Sequence, residues 1–207
     1  MANRLRLGVL ISGTGTNMEA IQAAIQAGEL DAEICLVVSS NSHAKGIAKA
    51  QASRLETLVF EKEDYADPEA VDAKIASELA ARDVDYIAMA GYMRKVTRVL
   101  LDAFPNRIVN LHPALLPAHP GAHAIQDAYD AGDAVTGITL HFANAEYDQG
   151  PIIFQHEVPI HEGESVEELE SRIHDAEHEY YPKVLQAIAE GRVHVNEDRT
   201  VAIAPEV

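Results

Sequence analysis

A short segment that follows a strand-like run carries residue types suited to acid and base chemistry. Residues 110–123 read NLHPALLPAHPGAH and include Asn110, His112, His119 and His123. In extended backbone, the side chains of Asn110 and His112 leave the same face about 7 Å apart, close enough to act on one group. Histidine titrates near neutral pH and is also the commonest metal ligand. The segment is therefore consistent with polar catalysis, with a metal site, or with a turn that ends a strand.

A metal site is the least favoured of these roles, because a zinc site needs three converging ligands and these histidines show no recognised metal spacing. His119 is predicted to be a half-exposed turn residue, and His141, in TLHFA, a packed or hydrogen-bonded strand residue. In the loop 143–151, ANAEYDQGP, Asp148 either caps a turn or, if it lies near His112, stabilises the imidazolium.

A second candidate site lies near the N-terminus, where a predicted strand runs through SGTGTN into an amphipathic helix. Glycines let the backbone approach a ligand closely, and the start of a helix offers N–H groups and a partial positive charge. Residues 12–17 therefore predict a phosphate site, with a tight strand-to-helix turn as the alternative. The motif lacks the third glycine of a dinucleotide fingerprint and the Gly-Lys-Ser/Thr of a P-loop. Neither a dinucleotide nor a triphosphate is therefore indicated as its ligand.

The elements that would position these residues follow from an alternation of β-branched runs and Ala-rich stretches, which is typical of parallel β-α-β units. The predicted strands are 5–11, 34–39, 56–60, 86–90 and 108–111, and the predicted helices are 18–27, 44–53, 68–82 and 98–103. In such a sheet, ligands bind beyond the carboxyl ends of the strands, where both candidate sites lie.

The pattern changes after residue 120. It predicts a helix over 122–131 and two strands, 136–142 and 152–158, that pair antiparallel. Ser165 before VEELE predicts the N-cap of a long helix that ends near Ala189, and VHVNEDRTVAI predicts a terminal hairpin. We therefore expect one α/β domain with a Rossmann-like, mostly parallel sheet, helices on both faces and antiparallel strands toward the C-terminal part.

Composition indicates which binding partners and which cellular compartment to expect. The chain of 207 residues has 16 basic and 33 acidic side chains, a net charge of −17. This charge opposes non-specific binding to nucleic acid or anionic lipid, so neither partner is expected. No apolar stretch reaches the roughly 18–20 residues of a membrane span, and no signal peptide is evident, which predicts a cytoplasmic protein. The single cysteine, Cys35, has no intrachain partner and fits a reducing compartment.

Five segments in their order resemble the glycinamide ribonucleotide formyltransferase family, folate-dependent enzymes of purine biosynthesis. They are ISGTGTN at 11–17, MAGYMRKV at 89–96, IVNLHPALLPAHPGAH at 108–123, TGITLHF at 136–142 and EYDQGPII at 146–153. The resemblance covers essentially the whole chain. It implies a single formyltransferase domain in which about residues 1–100 bind the ribonucleotide and about residues 101–207 carry catalysis and hold most of the folate.

The resemblance also implies roles for individual residues. The implied catalytic residues are Asn110, His112 and Asp148. The implied ribonucleotide site consists of Gly13, Thr14, Gly15, Thr16 and Asn17 around the phosphate, with Glu177 at the ribose. The implied folate-binding residues are Met93, Arg94, Lys95, Val96 and Asn110. The implied substrates are 5-phosphoribosylglycinamide and 10-formyltetrahydrofolate, with no metal, in a monomer or a homodimer.

The implied reaction needs these residue types. The substrate amine attacks the formyl carbon, which creates a tetrahedral intermediate with an oxyanion. Asn110 can donate a hydrogen bond to the oxyanion, and a protonated His112 can stabilise it by charge. Asp148 would keep His112 cationic, and a water could carry the proton from the attacking nitrogen to N10 of the departing folate.

The chain departs from the family pattern at four positions. Ala114 replaces a serine, and Ala118 replaces a basic residue. Pro68 stands where an arginine often contacts the folate tail, and His174 stands where some members have a lysine near the phosphate. Because none of these positions belongs to the catalytic trio, we expect the departures to change affinity more than reaction.

Four other functions are consistent with part of the sequence. Formyltetrahydrofolate deformylase, which transfers the formyl group to water, shares the folate half but usually has an extra N-terminal regulatory domain. Methionyl-tRNA formyltransferase should carry a further C-terminal domain and a basic surface. A nucleotide-binding sensor would leave Asn110, His112 and Asp148 without a role, and a metal hydrolase would use the histidines as ligands.

Overall fold

A computed structural model describes residues 4–204, in two compact units that divide between Val109 and Asn110. The strands of the described residues are β1 (Leu5–Ile11), β2 (Ala32–Ser39), β3 (Thr57–Val59), β4 (Tyr86–Met89), β5 (Ile108–His112), β6 (Val135–Phe142), β7 (Ile152–Pro159), β8 (Val193–Val195) and β9 (Val201–Ile203). The α-helices are α1 (Thr16–Ala27), α2 (Lys45–Ala52), α3 (Pro68–Ala80), α4 (Arg98–Ala103), α5 (Ala124–Ala131) and α6 (Val166–Ala189).

The sheet confirms the predicted α/β class. Its seven strands are ordered β3-β2-β1-β4-β5-β6-β7. β1 pairs parallel with β2 and with β4, and β2 pairs parallel with β3. β6 and β7 pair antiparallel, and β8 and β9 form the predicted terminal hairpin. The sheet is therefore mostly parallel, with antiparallel strands toward the C-terminal part.

The strand order of the first unit creates a ligand-binding position. From β1 the chain crosses to β2 on one side, and from β3 it crosses to β4 on the other side of β1. Since parallel crossovers are right-handed, α1 and α3 lie on opposite faces of the sheet. The loops that leave the carboxyl ends of β1 and β4 then diverge and open a crevice.

Local sequence explains where the helices begin and end. Asp67 caps α3, whose first residue is Pro68, and proline is well suited to this position because its missing N–H would have no helical partner. Ser165 and Glu168 form a reciprocal capping box at the start of α6. Gly28 ends α1 with a φ of 75°, in the left-handed region that glycine adopts without strain.

The core of the second unit forms where α6 packs on β6 and β7. Its buried members are Ile138, Val158, Leu169, Ile173 and Ala176. The helical residues of this set are spaced by three or four positions, so they lie on one face of α6. This packing fixes α6 against the sheet where the first half of β6 lies beside the last half of β7.

The structure differs from the sequence prediction mainly at element boundaries. α1 begins at Thr16 rather than at residue 18, and α5 begins at Ala124 because His123 occupies its N-cap position. A 3-10 helix over Lys62–Ala66 was not predicted, since it depends on a capping box between Glu61 and Asp64 in a polar segment. Among residues 4–204, no helix is both long and apolar enough to cross a membrane.

Candidate active site

The loop after β1 has the form that was predicted for a phosphate site. Gly15 is the N-cap of α1, and its carbonyl accepts the N–H of Glu19 at 3.0 Å. The N–H groups of the first turn have no partners within a helix, and they carry the positive end of its dipole. Gly13 and Thr14 are exposed at this end, whereas Asn17 is buried. The predicted residues 13–17 therefore form the end of the strand-to-helix loop and the first two residues of α1.

The two glycines of this loop serve different purposes. Gly15 has a φ of 73°, and a Cβ there would lie 2.7 Å from the Cα of Gly46, so both backbone conformation and close packing require glycine. A Cβ at Gly13 would meet nothing within 4 Å. Gly13 therefore leaves open space beside the helix start, where a ligand can approach the backbone.

Ser12 joins this loop to two others in the same unit. Its N–H donates to the carbonyl of Gly91 at 3.0 Å, and its hydroxyl accepts the N–H of Met93 at 2.8 Å. The hydroxyl also lies 2.6 Å from that of Ser40. These bonds gather the ends of β1, β2 and β4 around a cleft of about 570 Å³, which is lined by Ser12, Ser40, Asn41, Ser42, His43, Glu61, Lys62, Glu63, Met93 and Arg94.

The predicted folate-binding segment, residues 93–96, is only partly directed toward this cleft. Met93 and Arg94 line it, and Met93 is 62% exposed, which is unusual for a large apolar side chain. Lys95 is exposed, and Val96 is buried in the core. The side chains of Met93 and Arg94 are therefore the members of this segment that line the described cleft.

Two tyrosines hold Arg94 in place. The guanidinium carbon of Arg94 lies 4.3 Å from the centroid of the Tyr65 ring, a cation–π geometry. The hydroxyl of Tyr65 lies 2.7 Å from that of Tyr92. Burial raises the pKa of both tyrosines, so both hydroxyls stay protonated at neutral pH and one can donate to the other. This arrangement presents a cation at the edge of the cleft.

In the second unit, His112 lies between two hydrogen-bond acceptors. Its Nε2 is 2.8 Å from the carbonyl oxygen of His119, and its Nδ1 is 3.5 Å from Oδ2 of Asp148. A carbonyl oxygen can only accept, so Nε2 carries a proton. Nδ1 faces the Asp148 carboxylate, so both ring nitrogens lie against acceptors. The His112 side chain is only 4% exposed, which limits screening by water.

Asp148 is held by its loop in an unusual backbone conformation. Its φ is 54°, in the left-handed region, where aspartate is tolerated better than most residues. Its Oδ2 accepts the N–H of Gly121 at 2.9 Å. Gly150 is also required, because a Cβ there would lie 1.6 Å from the carbonyl oxygen of Phe142. The structure therefore brings Asp148 to His112, which the sequence left undecided.

Asn110 is oriented by His141, which lies beside it on the next strand. The Nδ2 of Asn110 is 3.0 Å from Nε2 of His141, whose Nδ1 is 3.1 Å from the carbonyl oxygen of Phe142. Burial is the main influence on His141 and lowers its pKa, against the opposing effects of the Phe142 carbonyl and of Asp148. The neutral ring then donates from Nδ1 and accepts from Asn110 at Nε2. One N–H of the Asn110 amide remains for a ligand.

His141 is the residue of this site that the sequence analysis undervalued. It was predicted as a packed or hydrogen-bonded strand residue, and it is buried, but its Nε2 also lies 3.8 Å from Oδ1 of Asp148. The available signal was a histidine on the same side of a strand as Thr139, between Leu140 and Phe142 in the segment TGITLHF. Thr139 itself donates to the carbonyl of Ala114 at 2.6 Å and so fixes the segment after His112.

The rings of His119 and His123 do not join the pair formed by His112 and Asp148, although the backbone carbonyl of His119 contacts His112. His119 occupies the turn that was predicted for it, and its ring pairs with Asp133. His123 is exposed at the start of α5, so the three histidines of the segment do not converge. Glu177 is buried in α6. Within residues 4–204, no group of three or more His, Cys, Asp or Glu side chains is arranged to hold a metal ion.

Comparison with known proteins identifies a matching family and related structures. Residues 5–185 match the family described as formyl transferase. A phosphoribosylglycinamide formyltransferase of Bacillus subtilis (strain 168) is 39% identical over 183 residues, which is 88% of this chain and 94% of the relative. The crystal structure of glycinamide ribonucleotide transformylase 1 from Symbiobacterium toebii superposes with a TM-score of 0.93 at 42% identity and covers 98% of this chain and 95% of that one.

A formyltetrahydrofolate deformylase from Pseudomonas syringae pv. tomato shares the fold at a TM-score of 0.91, but it is only 24% identical, and the match covers 99% of this chain and 67% of that one. Such a likeness establishes the fold alone. The family match, in contrast, spans most of the sequence and both candidate sites. The chain belongs to the formyl transferase family.

Proposed function

We propose that this enzyme transfers the formyl group of 10-formyltetrahydrofolate to the amine of 5-phosphoribosylglycinamide, a step of purine biosynthesis. The observation that carries the proposal is the assembly of Asn110, His112 and Asp148 at the end of β5 in a chain that is closely similar to formyltransferases. The reaction needs a donor for an oxyanion and a nearby positive charge, and this assembly supplies both.

His112 acts in this scheme mainly as a fixed cation. Both of its ring nitrogens already face acceptors, the Asp148 carboxylate and the His119 carbonyl. The imidazolium therefore stabilises the oxyanion through its charge, and the small exposure of the ring strengthens that interaction. Asp148 offsets the cost of keeping a buried charge before the substrate arrives.

Asn110 supplies the directed hydrogen bond. Because one of its amide protons is bound by His141, the amide cannot rotate freely, and its second proton has a defined direction. A donor that is oriented before the reaction stabilises a developing oxyanion without reorganisation at the transition state. Proton transfer from the attacking amine to N10 of the folate then proceeds through water, and the scheme routes no step through a metal.

The two anionic substrates need local positive sites on a chain of net charge −17. The start of α1, with the open space at Gly13, suits the phosphate of the ribonucleotide. Arg94, stacked on Tyr65, suits a carboxylate of the folate tail. Pro68, at the start of α3, supplies no charge for that contact. Lys62 and Arg94 both line the cleft, and we assign the contact to Arg94 because its guanidinium is stacked on Tyr65. A cytoplasmic location is part of the proposal.

The experiment that tests the proposal follows folate release from 10-formyltetrahydrofolate in the presence and absence of the ribonucleotide. We expect release to require the ribonucleotide and to continue in the presence of a chelator. Equal release without the ribonucleotide would instead establish the alternative, a deformylase. Release that stops when chelator is added would contradict the scheme, and absence of release with both substrates would reject formyl transfer altogether.

A further inference from the structure

The segment 119–121 contacts both members of the buried ion pair formed by His112 and Asp148. The carbonyl of His119 accepts the Nε2–H of His112 at 2.8 Å, and the N–H of Gly121 donates to Oδ2 of Asp148 at 2.9 Å. That same carboxylate oxygen faces Nδ1 of His112 at 3.5 Å. Three consecutive residues therefore set the direction of the imidazole ring and the position of its carboxylate.

The backbone of this segment does not adopt its shape without cost. His119 has a φ of 49° and Gly121 a φ of 104°. Glycine tolerates such values, and histidine adopts the left-handed region more readily than most residues but still at an energetic cost, so contacts with its surroundings help to hold it there. The carbonyl that accepts the hydrogen bond of His112 belongs to His119. The backbone conformation of His119 is therefore the one in this segment that a stabilising contact would help most.

The side chain of His119 makes a contact that holds this residue in place. Its Nε2 lies 2.6 Å from Oδ2 of Asp133, which follows the left-handed Gly132 at the end of α5. The N–H of Gly132 donates to the carbonyl of Tyr129 at 3.1 Å, so the backbone next to Asp133 is fixed to the helix. The His119 side chain is 20% exposed and that of Asp133 is 41% exposed, so neither is part of the buried core.

We infer that His119 and Asp133 are positioning residues for formyl transfer, which act by fixing the carbonyl that orients His112. This inference rests on the proposed role of His112 in the reaction. The alternative is that the His119–Asp133 pair is an ordinary surface contact, and that the segment keeps its shape without it. The two possibilities differ in what happens at His112 when the pair is removed.

The kinetic test compares Asp133→Ala, Asp133→Asn, His119→Phe and the double variant His119→Phe/Asp133→Ala. We expect kcat to fall about fivefold to tenfold in Asp133→Ala and in His119→Phe, and less in Asp133→Asn, which keeps an acceptor oxygen. The double variant should lose no more than either single variant, since both remove one contact. KM for both substrates should change less than about twofold, because the pair contacts neither substrate in the scheme.

The matched control is Asp130→Ala, which removes an exposed acid from the same helix, where it accepts from Gln126 at 2.8 Å. We expect this variant to keep the wild-type kcat. A melting curve of each variant establishes that the measured protein is folded, and the near-isosteric Asp133→Asn keeps the test valid if Asp133→Ala unfolds.

A second readout observes His112 directly, through the nitrogen NMR signals of its ring in the free protein. We expect a slowly exchanging Nε2–H in the wild type and in Asp130→Ala, and faster exchange in Asp133→Ala and His119→Phe. A fall of kcat with an unchanged His112 signal, a changed signal with unchanged kcat, or no change in either would overturn the inference. If the wild type transferred no formyl group, the proposed function would fail on that result alone, and the ring signals would still decide whether the pair orients His112.

Discussion

His112 shows how a single side chain acquires its role from its surroundings. Its sequence neighbourhood is shared with two further histidines, and residue type alone does not separate them. In the structure, only His112 of the three lies against Asp148, while His119 pairs with Asp133 and His123 is exposed. The contact that distinguishes His112 joins it to Asp148, more than thirty residues away in the sequence, which no local pattern contains.

Substitutions in the catalytic trio should lower turnover without abolishing ribonucleotide binding. Asn110→Ala removes the oriented donor and His112→Ala removes the cation, so we expect each to lower kcat by about 100- to 1,000-fold. Calorimetry should show ribonucleotide affinity close to that of the wild type. His194→Ala, in the hairpin strand β8, is the control and should keep full turnover. Unchanged turnover in both trio variants would falsify the assigned roles.

His141 should make stability depend on pH. Burial lowers its pKa, so the folded protein binds its proton less well than the unfolded chain, whose ordinary value is 6.5. The contribution of the neutral His141 ring to the free energy of unfolding is therefore fully present above pH 6.5. It is lost as the pH falls from 6.5 through the lowered pKa of the folded protein. Two charged groups face the ring: Asp148 raises the pKa of His141, and His112 lowers it. Both groups are unchanged when His141 is replaced by glutamine.

We therefore expect the free energy of unfolding of the wild type to fall with decreasing pH relative to that of His141→Gln. The difference should change by at most about 1.4 kcal/mol per pH unit, the limit for one proton. Denaturant unfolding at several pH values measures it. Parallel pH profiles for the two proteins would show that His141 titrates alike in the folded and unfolded states.

At the scale of elements, the loop between β1 and α1 illustrates how one motif combines folding and binding. The sequence predicted the strand, the helix and the glycine-rich connection correctly. It could not tell which glycine serves the fold, because the close approach of Gly15 to Gly46 joins two separate loops. A local sequence pattern shows where glycine allows an unusual backbone conformation. Packing between separate loops decides which glycine the fold needs.

This difference can be tested with two alanine variants. In Gly13→Ala the new methyl group occupies open space, so we expect an unchanged melting temperature and a ribonucleotide Kd raised about tenfold or more. In Gly15→Ala the positive φ and the contact with Gly46 should cost roughly 1–2 kcal/mol or more of stability. Calorimetry and thermal unfolding measure the two effects. Undiminished affinity in Gly13→Ala would remove the phosphate from this loop.

The 3-10 helix and the loop 143–151 mark the limit of prediction at this scale. The short helix over Lys62–Ala66 depends on reciprocal capping by Glu61 and Asp64 in a segment with no apolar period. The loop places Asp148 through a positive φ and a glycine that only the Phe142 carbonyl makes necessary. Regular elements with repeated apolar positions were predictable, and irregular segments fixed by single contacts were not.

At the scale of the whole molecule, the sequence predicted the fold class and the strand pairing because each β-α-β unit repeats the same pattern. The order of five segments implied which residues carry the chemistry, and this assignment stays a prediction, for which the structure supplies the distances. On a chain of net charge −17, anionic substrates need local positive sites, for which we propose the start of α1 and Arg94. The acceptor that receives the formyl group distinguishes the proposed transferase from a deformylase.

The most direct measurement follows the formyl carbon itself. 10-Formyltetrahydrofolate labelled with ¹³C in its formyl group is mixed with the enzyme and 5-phosphoribosylglycinamide, and the products are identified by NMR. We predict that the label appears on the amine of the ribonucleotide in a one-to-one ratio with tetrahydrofolate. Label that appears as free formate, with the ribonucleotide unmodified, would contradict the proposed function.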